Sequence, residues 1–361
     1  MSLWQVPRCT VAITPKSTSS SRNTHRAISV LRPLALHTPR SRCLSTPASQ
    51  TEATSTINPS EIAFFSKLSS QWWDEQGEFS FLHRMNPVRM QFIREKLLEV
   101  KRDGEYEKDG FRFDRGGQDE GDHVKVMQGL DVLDVGCGGG LLSESLARSG
   151  AHTLGIDASS SNVAIASLHA SADPQLSPDT FPSSSTRPTS RAGSLTYRHA
   201  AAEDLLQEPK RYDAVCSMEV LEHVDNPAGF LETCAELVKP GGHLFLSTIA
   251  RTPLSYFLTI FMAEQVLQKV TSGTHTHAKY VNPSELISFF QKYRKPSVAG
   301  ESGRPWISRT YEHGLPTRTE AEVRGMVYVP WRGEWVLAPR GGSLLAPSAQ
   351  CNYLFWVRKP L

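Results

Sequence analysis

The residues best suited to chemistry lie between 130 and 157. An apolar run ends at Asp134, a glycine-rich loop and a helix-forming stretch follow, and a second short strand ends at Asp157. Glycines at a strand-to-helix turn let the backbone approach a ligand, and the helix start offers free N–H groups. An acid about 20 residues after the loop is placed to accept hydrogen bonds from ribose hydroxyls. The pattern therefore predicts a nucleoside-binding βαβ unit, whose loop glycines are Gly136, Gly138, Gly139 and Gly140.

The loop also indicates which nucleoside it binds. The dinucleotide fingerprint GxGxxG requires a third glycine where this chain has Leu141, and Asp134 stands two residues before Gly136. A carboxylate there would repel a pyrophosphate, but it suits the cationic ammonium and sulfonium groups of S-adenosylmethionine (SAM). We therefore predict a SAM site that includes Asp134, Gly136, Gly138 and Asp157. An NAD site and an ordinary tight turn without a ligand are the alternatives.

Groups for the adenine ring are expected after the third and fourth strands. Glu203 and Asp204 follow the third strand and could accept hydrogen bonds from the adenine N6 amine. Met218 follows the fourth strand and could supply an apolar contact to the ring. The alternatives are solvated loop acids and plain core packing, respectively.

The segment SMEVLEHVDNP carries a second chemical pattern. Glu219, Glu222 and His223 are spaced i, i+3 and i+4, so they share one face if the segment is helical. Two carboxylates and an imidazole suit Mg²⁺ or Zn²⁺, which would lower the pKa of a phenolic oxygen. Alternatively, His223 is a metal-free general base, with Glu222 beside it. A third interpretation is an acidic first helical turn with no role in chemistry.

Two N-terminal helices are expected to precede the core, within 58–100. Ser60 is a helix-start signal, and Pro87 can open a second helix that runs to about Val100. Residues 101–123 are charged and glycine-rich without periodicity, which is typical of a linker.

The core domain is predicted to span 124–361. Strand-like runs alternate with helical stretches, which predicts an α/β fold with a doubly wound, mostly parallel sheet and ligands at its carboxyl edge. The Ser/Pro-rich segment 171–194 is expected to be a disordered surface loop, and 293–320 is a variable segment. The runs VRGMVYVP, EWVLAP and NYLFWVRK are expected to be closing strands.

The N-terminal charge distribution predicts targeting. Residues 1–51 contain six Arg and one Lys but no acid, although the whole chain has a net charge of only +2. A basic, Ser/Thr-rich segment of this kind is typical of a mitochondrial transit peptide, which we place at 1–45 with cleavage between Arg40 and Gln50. A basic tail without a targeting role is the alternative.

Several segments together resemble one family. LHRMNPVRMQFI, LDVGCGGGLLSESLARSGA, CSMEVLEHVDNP, ELVKPGGHLFLSTIARTPLS and GTHTHAKYVNPSEL are similar to segments of the ubiquinone-biosynthesis O-methyltransferases, a branch of the class I SAM-dependent methyltransferases. The likeness covers roughly residues 58–293 and resumes at the closing strands. It implies a Rossmann-like, seven-stranded sheet with an N-terminal helical extension over the cofactor site. It also implies methylation of a polyprenylated dihydroxybenzoate and of a demethylated ubiquinol.

The resemblance assigns roles by position. The family's cofactor-binding arginine falls on Arg89, its glycine on Gly136, its ribose acid on Asp157 and its adenine-side residue on Met218. Its divalent-metal ligands, for Mg²⁺ or Zn²⁺, fall on Glu219, Glu222 and His223. The insertion 171–194 and the long segment 293–320 depart from the compact bacterial pattern and leave the substrate side in doubt.

The resemblance also implies a cellular setting. We expect a peripheral protein on the matrix side of the mitochondrial inner membrane, within a coenzyme Q synthesis complex and without a nucleic-acid partner. The stretch 253–270 predicts a helix with a wide apolar face, which would lie in a membrane interface or close over the polyprenyl tail. Core packing is the alternative. Methylation of another small molecule and a non-catalytic scaffold are the rival functions.

Overall fold

The computed structural model describes part of the chain in detail. The described residues are 55–109, 126–176, 193–266, 271, 273–274, 276–294, 303–311, 314–340 and 347–361. The predicted transit peptide, residues 110–123 of the predicted linker and most of the predicted insertion therefore lie outside the described residues.

An eight-stranded sheet forms the centre of the fold, in the order β3-β2-β1-β4-β5-β8-β6-β7. The first five strands are parallel, whereas β8, β6 and β7 are antiparallel to their neighbours. The doubly wound α/β fold is thus confirmed, with one strand more than the expected seven. The additional strand arises because β7 folds back on β6 as a hairpin. The strands are β1 Asp131–Val135, β2 His152–Asp157, β3 Leu195–His199, β4 Tyr212–Met218, β5 Val238–Ile249, β6 Ala321–Val329, β7 Glu334–Leu337 and β8 Asn352–Arg358.

The order of the strands in the sheet determines where a ligand-binding crevice can form. Helices cover both faces of the parallel strands, so β1 and β4 are almost continuously buried and read as apolar runs. The chain leaves β1 towards β2 and β3, then crosses back to β4 on the other side of β1. In open α/β sheets a crevice forms at such a reversal, outside the carboxyl ends of the strands.

Among the described residues, six α-helices of eight or more residues lie around the sheet, and several begin at side-chain caps. Asn58 accepts hydrogen bonds from the backbone N–H groups of Ser60 and Glu61, and Asn226 accepts one from Gly229. The helices are α1 Pro59–Leu68, α2 Ser80–Asp109, α3 Leu141–Arg148, α4 Ser160–Ala172, α5 Pro227–Leu237 and α6 Pro283–Lys292. A further helix begins with Pro253–Ser255 and continues as the π-helix Tyr256–Val266; we call it the 253–266 helix.

The boundaries of α2 differ from the prediction. The helix begins at Ser80, so Pro87 lies inside it rather than at its start, and it continues through Asp109 into the predicted linker. Proline removes one N–H from the helical ladder, at a cost that tertiary packing can offset. Here Met85, Val88 and Phe92 are buried against the sheet and supply that packing.

A buried lysine on α2 forms an ion pair and a cation–π contact with the sheet. The Lys96 side chain is fully buried, and its Nζ lies 2.7 Å from Glu322 Oε2 on β6 and 4.2 Å from the ring centroid of Trp356 on β8. Removal of one partner from a buried ion pair costs about 3–5 kcal/mol, because the other charge remains buried. The middle of α2 is therefore firmly held.

The three closing strands are confirmed, and part of the variable segment is ordered. Trp306 and Ile307 are buried against Phe290 of α6 and its neighbour Tyr293.

Among the described residues, no helix has the length and apolar character needed to cross a membrane.

Candidate functional site

A cavity of about 780 Å³ opens at the carboxyl edge of the sheet. Its polar floor comes from the glycine loop and from residues after β2, β3 and β4. Its remaining walls are largely apolar and come from α1, the start of α2, the 253–266 helix and the β6–β7 hairpin. The apolar wall residues include Phe64, Phe65, Leu82, Met85, Leu254, Phe257, Leu258, Met262, Met326 and Trp335.

The glycine loop is shaped for close approach. Gly136 and Gly138 have φ angles of 73° and 55°, which side-chain-bearing residues rarely adopt. A Cβ atom on Gly138 would lie 2.3 Å from the Trp72 ring, and one on Gly136 would lie 2.5 Å from Val220. Both glycines line the cavity. The loop backbone is therefore open to a ligand on one side and packed against Trp72 on the other.

Asp157 ties this loop to the start of α4. One carboxylate oxygen accepts a hydrogen bond from the Gly138 N–H at 2.9 Å. The other accepts from the Ser159 N–H at 2.8 Å and the Asn162 side-chain amide at 3.3 Å. Burial raises the pKa of the Asp157 carboxyl, although these donors oppose the shift. The side chain lines the cavity, as a ribose-binding acid requires.

Asp134 and Arg89 are both buried near the loop, and neither is among the described residues that line the cavity. Asp134 accepts a 2.5 Å hydrogen bond from the Ser143 hydroxyl, and burial raises its pKa to about 6. Arg89 Nη2 lies 3.5 Å from Glu219 Oε1, and Arg89 Nε has no hydrogen-bond partner among the described residues. Burial lowers the pKa of Arg89, whereas Glu219 and Asp134 act in the opposite direction.

Of the three residues predicted on the adenine side, two line the cavity and one does not. Met218 is buried at the end of β4 and lines the cavity, and Glu203 also lines it. Asp204, in contrast, is exposed and outside the lining. Its carboxylate accepts a hydrogen bond from the Ala201 N–H at 2.9 Å, because it caps the 3-10 helix Ala202–Gln207. Glu203 therefore lies on the cavity side, and Asp204 does not.

The EVLEH segment does not form the helix that a shared face for Glu219, Glu222 and His223 would require. Glu219 has a φ of 56°, and a turn covers 221–223 before α5 begins at Pro227. A left-handed residue interrupts a right-handed helix, so the i, i+3, i+4 argument fails. Asn226 and Pro227 supply the real helix start.

The three side chains of this segment line the cavity but have separate partners. Glu219 pairs with Arg89, and buried Glu222 accepts a 2.7 Å hydrogen bond from the Thr248 hydroxyl. The His223 Nδ1 atom lies 3.1 Å from a carboxylate oxygen of Glu61. The pKa of His223 is raised: burial lowers it, but the neighbouring carboxylates outweigh burial.

This arrangement does not fit a metal ion. Each of the three expected ligands, Glu219, Glu222 and His223, is engaged with a different protein group. Within the part of the chain that the structure describes, no cluster of three or more His, Cys, Asp or Glu side chains could hold a metal. Lewis-acid activation therefore enters no step below.

Sequence reasoning missed three residues that shape the site. Glu61 on α1 holds His223 and also lies 3.2 Å from Lys279 Nζ. Trp72 stacks on Phe79 at a centroid distance of 3.8 Å and donates a hydrogen bond to Asn162. Thr56 contacts Glu203. No spacing or motif in the sequence predicts these contacts.

The 253–266 helix is exposed on its apolar side. Leu254, Phe257, Leu258 and Phe261 are 39–48% exposed, so the core-packing alternative does not describe these four residues. Leu267 and Val270 of the predicted segment lie outside the described residues. His277 is bonded to the Thr252 carbonyl oxygen at 2.9 Å and is outside the cavity lining.

The fold and this site define a class I SAM-dependent methyltransferase. The family model described as "Methyltransferase domain" matches residues 81–293. A solved neighbour, the magnesium protoporphyrin IX methyltransferase of Synechocystis PCC 6803 with bound SAM, is 14% identical at a TM-score of 0.41 and covers 85% of this chain and 100% of that one. That likeness is too weak to carry an argument.

Curated relatives identify the branch. One, from Leptothrix cholodnii, is 41% identical over 64% of this chain and 80% of its own length. Another, from Cereibacter sphaeroides, is 37% identical over 81% of this chain and 95% of its own. A third, from rat, is 36% identical over 78% of this chain and 66% of its own. All three are named ubiquinone biosynthesis O-methyltransferase, the rat protein with the addition "mitochondrial". The chain belongs to the ubiquinone biosynthesis O-methyltransferases.

Proposed function

We propose that this enzyme transfers the methyl group of SAM to a phenolic hydroxyl of a polyprenylated dihydroxybenzoate and of demethylubiquinol. The observation that carries the proposal is that one cavity combines a glycine-loop floor with an imidazole and largely apolar walls. The floor suits the cofactor, and the walls suit a ring with a hydrocarbon tail. The names of the relatives support the same reaction.

The cofactor is assigned to the polar floor. Asp157 accepts the ribose hydroxyls, Gly136 and Gly138 allow the backbone to approach, and Met218 contacts the adenine ring. Arg89 lies behind the cavity lining and is assigned to the cofactor carboxylate, because its buried Nε has no hydrogen-bond partner among the described residues. Asp134 supplies negative charge near the ammonium and sulfonium groups. Binding both reactants in one cavity converts methyl transfer into a positioned, effectively unimolecular step.

His223 is assigned the general-base role. Its Nδ1 is held by Glu61, and Phe65 packs edge-on against the ring at a centroid distance of 5.0 Å. Because Nδ1 is engaged, Nε2 is the nitrogen that takes the phenolic proton. The phenolate oxygen then attacks the methyl carbon as the carbon–sulfur bond breaks, which leaves S-adenosylhomocysteine. Buried Glu222 contributes negative charge beside the imidazolium that forms.

The histidine assignment has a matched control within the chain. With purified protein, SAM and a short-chain prenylated dihydroxybenzoate, His223→Asn is expected to lower kcat by about 10²–10⁴-fold without a change in SAM affinity. His277→Asn alters a histidine outside the lining and is expected to leave kcat near the wild-type value. Equal rates for wild type and His223→Asn would remove the base role. A wild-type protein that binds SAM without turning over would favour the scaffold alternative.

The metal question is decided by a separate measurement. Binding of Mg²⁺ or Zn²⁺ would require Glu219, Glu222 and His223 to leave Arg89, Thr248 and Glu61. Exhaustive chelation, followed by addition of each ion, distinguishes the two routes. Activity that survives chelation supports the metal-free base, whereas loss and recovery with an ion would show that these ligands rearrange.

The cellular setting is also a proposal. The relatives from rat, Schizosaccharomyces pombe and Arabidopsis thaliana are named mitochondrial, and residues 1–51 have the composition of a transit peptide. We propose a matrix protein that contacts the inner membrane through the exposed apolar residues of the 253–266 helix. Partner proteins in a coenzyme Q synthesis complex would receive the tailed product without its release into water.

A further inference from the structure

A short segment before α1 crosses the edge of the cavity. Thr56, Ile57 and Asn58 all line the cavity, and Thr56 is only 4% exposed although it lies near the start of the described chain. The Asp225 N–H donates to the Thr56 carbonyl oxygen at 3.0 Å, and the Asn58 amide donates to the Asp225 carboxylate at 2.7 Å. We call residues 55–58 the strap.

The strap holds one carboxylate of the cavity lining. The Thr56 N–H donates to Glu203 Oε1 at 3.0 Å, and the Thr56 hydroxyl forms a short hydrogen bond to the same oxygen. These two groups are 147 residues apart in the chain. Two donors on one oxygen fix the orientation of a carboxylate, so the position of Glu203 depends on the strap.

Glu203 lies where a purine would follow the ribose. Strand β3 is the parallel neighbour of β2, with His199 in register with Asp157. The Ala200 N–H donates to the Asp157 carbonyl oxygen at 3.2 Å, which joins the ends of the two strands. A nucleoside whose sugar is bound by Asp157 therefore extends its base over Ala200, Ala201 and Glu203, towards Ile57.

We infer that the strap is part of the adenosine site: Thr56 positions Glu203 so that its second oxygen accepts the adenine N6 amine, and Ile57 packs against the purine. This assignment rests on the proposed function. It places a cofactor-binding element outside residues 81–293, the range matched by the methyltransferase model. Thr56 acts through Glu203 and is therefore a positioning residue.

Calorimetry with the full chain tests the inference. Thr56→Val removes the hydroxyl and keeps the shape and the N–H, and it is expected to weaken S-adenosylhomocysteine binding about tenfold. Thr56→Ser keeps the hydroxyl and is expected to bind as wild type does. Ser171→Ala, at an exposed residue of α4 outside the cavity lining, is the control for loss of a hydroxyl elsewhere.

A base analogue separates positioning from folding. S-Inosylhomocysteine has a carbonyl in place of the N6 amine, so wild type is expected to prefer the adenosyl compound. Thr56→Val and Glu203→Gln are each expected to reduce that preference, and the double variant should lose little more than either single variant. Melting temperatures without ligand show whether each variant is folded.

The outcomes are distinct. Unchanged affinity in Thr56→Val, or equal weakening for both nucleosides, would overturn the inference and leave the proposed function intact. Wild type that binds neither SAM nor S-adenosylhomocysteine would overturn both proposals. A reduced adenosyl preference in folded Thr56→Val supports the strap.

Discussion

Asp157 accepts three hydrogen bonds from the protein and still faces the cavity. Its replacement by Ala removes the ribose acceptor and also releases the Gly138 and Ser159 N–H groups. Since hydrogen bonds to charged groups contribute about 1.5–3 kcal/mol each, we expect at least a 100-fold loss of SAM affinity by calorimetry. Asp204→Ala, at an exposed acid outside the lining, should bind SAM as wild type does. Undiminished affinity in Asp157→Ala would refute the ribose assignment.

Asp134 predicts a pH dependence of binding. Burial raises its pKa to about 6 in the free protein, so it is largely neutral below that pH and ionised above it. A cationic ligand favours the ionised form, and SAM affinity is therefore expected to increase as the pH rises through 6 and then to level off. The measurement is the SAM dissociation constant between pH 5 and 8. Asp134→Asn should flatten the wild-type dependence, and parallel curves for the two proteins would contradict the role.

Only some residue assignments could be predicted from spacing. Gly136, Gly138 and Asp157 are predictable because their chemistry depends on a local strand–loop–helix geometry. Arg89 had no local signal and came only from the family resemblance. The contacts of Glu61 with His223 and of Thr56 with Glu203 join segments more than 140 residues apart, and no sequence pattern encodes such pairing.

At the scale of elements, the packing of the glycine loop can be tested with two glycines. Gly138 and Gly129 both have positive φ, but a Cβ atom on Gly129 has no atom within 4 Å, whereas one on Gly138 overlaps Trp72. Gly129→Ala is expected to lower the free energy of unfolding by about 1–2 kcal/mol through backbone strain alone. Gly138→Ala should cost about 1–3 kcal/mol more because of the overlap. If denaturant unfolding gave the same loss of unfolding free energy for Gly129→Ala and Gly138→Ala, Trp72 would have to move aside without cost.

The 253–266 helix predicts a tail-dependent phenotype. Phe261→Asp places a charge on its exposed apolar side, outside the cavity lining, which should reduce binding to anionic lipid vesicles and kcat/KM for long-tailed substrates. Turnover of a short-chain substrate should change little. Leu168→Asp, at a 68% exposed residue of α4, is the matched control. Equal effects at position 168 would mean that surface charge in general, and not this helix, controls lipid contact.

Sequence patterns predict the closing strands correctly, but they do not predict the turn that contains the EVLEH segment. Runs rich in apolar and aromatic residues predict the closing strands well; β8, for example, is buried at every position except Arg358 and therefore reads as a nearly continuous apolar run. The EVLEH segment also has helical spacing, but the left-handed φ of Glu219 turns the chain instead. The same spacing is compatible with both structures, and tertiary contacts to Arg89, Thr248 and Glu61 select the turn.

At the scale of the whole molecule, the N-terminal charge distribution predicts import. Residues 1–52 fused to a fluorescent protein are expected to direct it to mitochondria, because the segment combines seven basic residues with no acid before Glu52. Replacement of its six arginines by glutamine should leave the fusion in the cytosol. Mitochondrial fluorescence from the glutamine variant would show that charge is not the signal.

The anchoring of α2 determines how ligands reach the cavity. Lys96 lies about two turns beyond Arg89, and its pairing with Glu322 and Trp356 binds that part of the helix to the far side of the sheet. Because of this anchoring, we do not expect α2 to move away from the sheet to admit a ligand. We therefore expect ligands to enter past another wall of the cavity, and a disulfide that locks the 253–266 helix or the strap is expected to retain a ligand already inside.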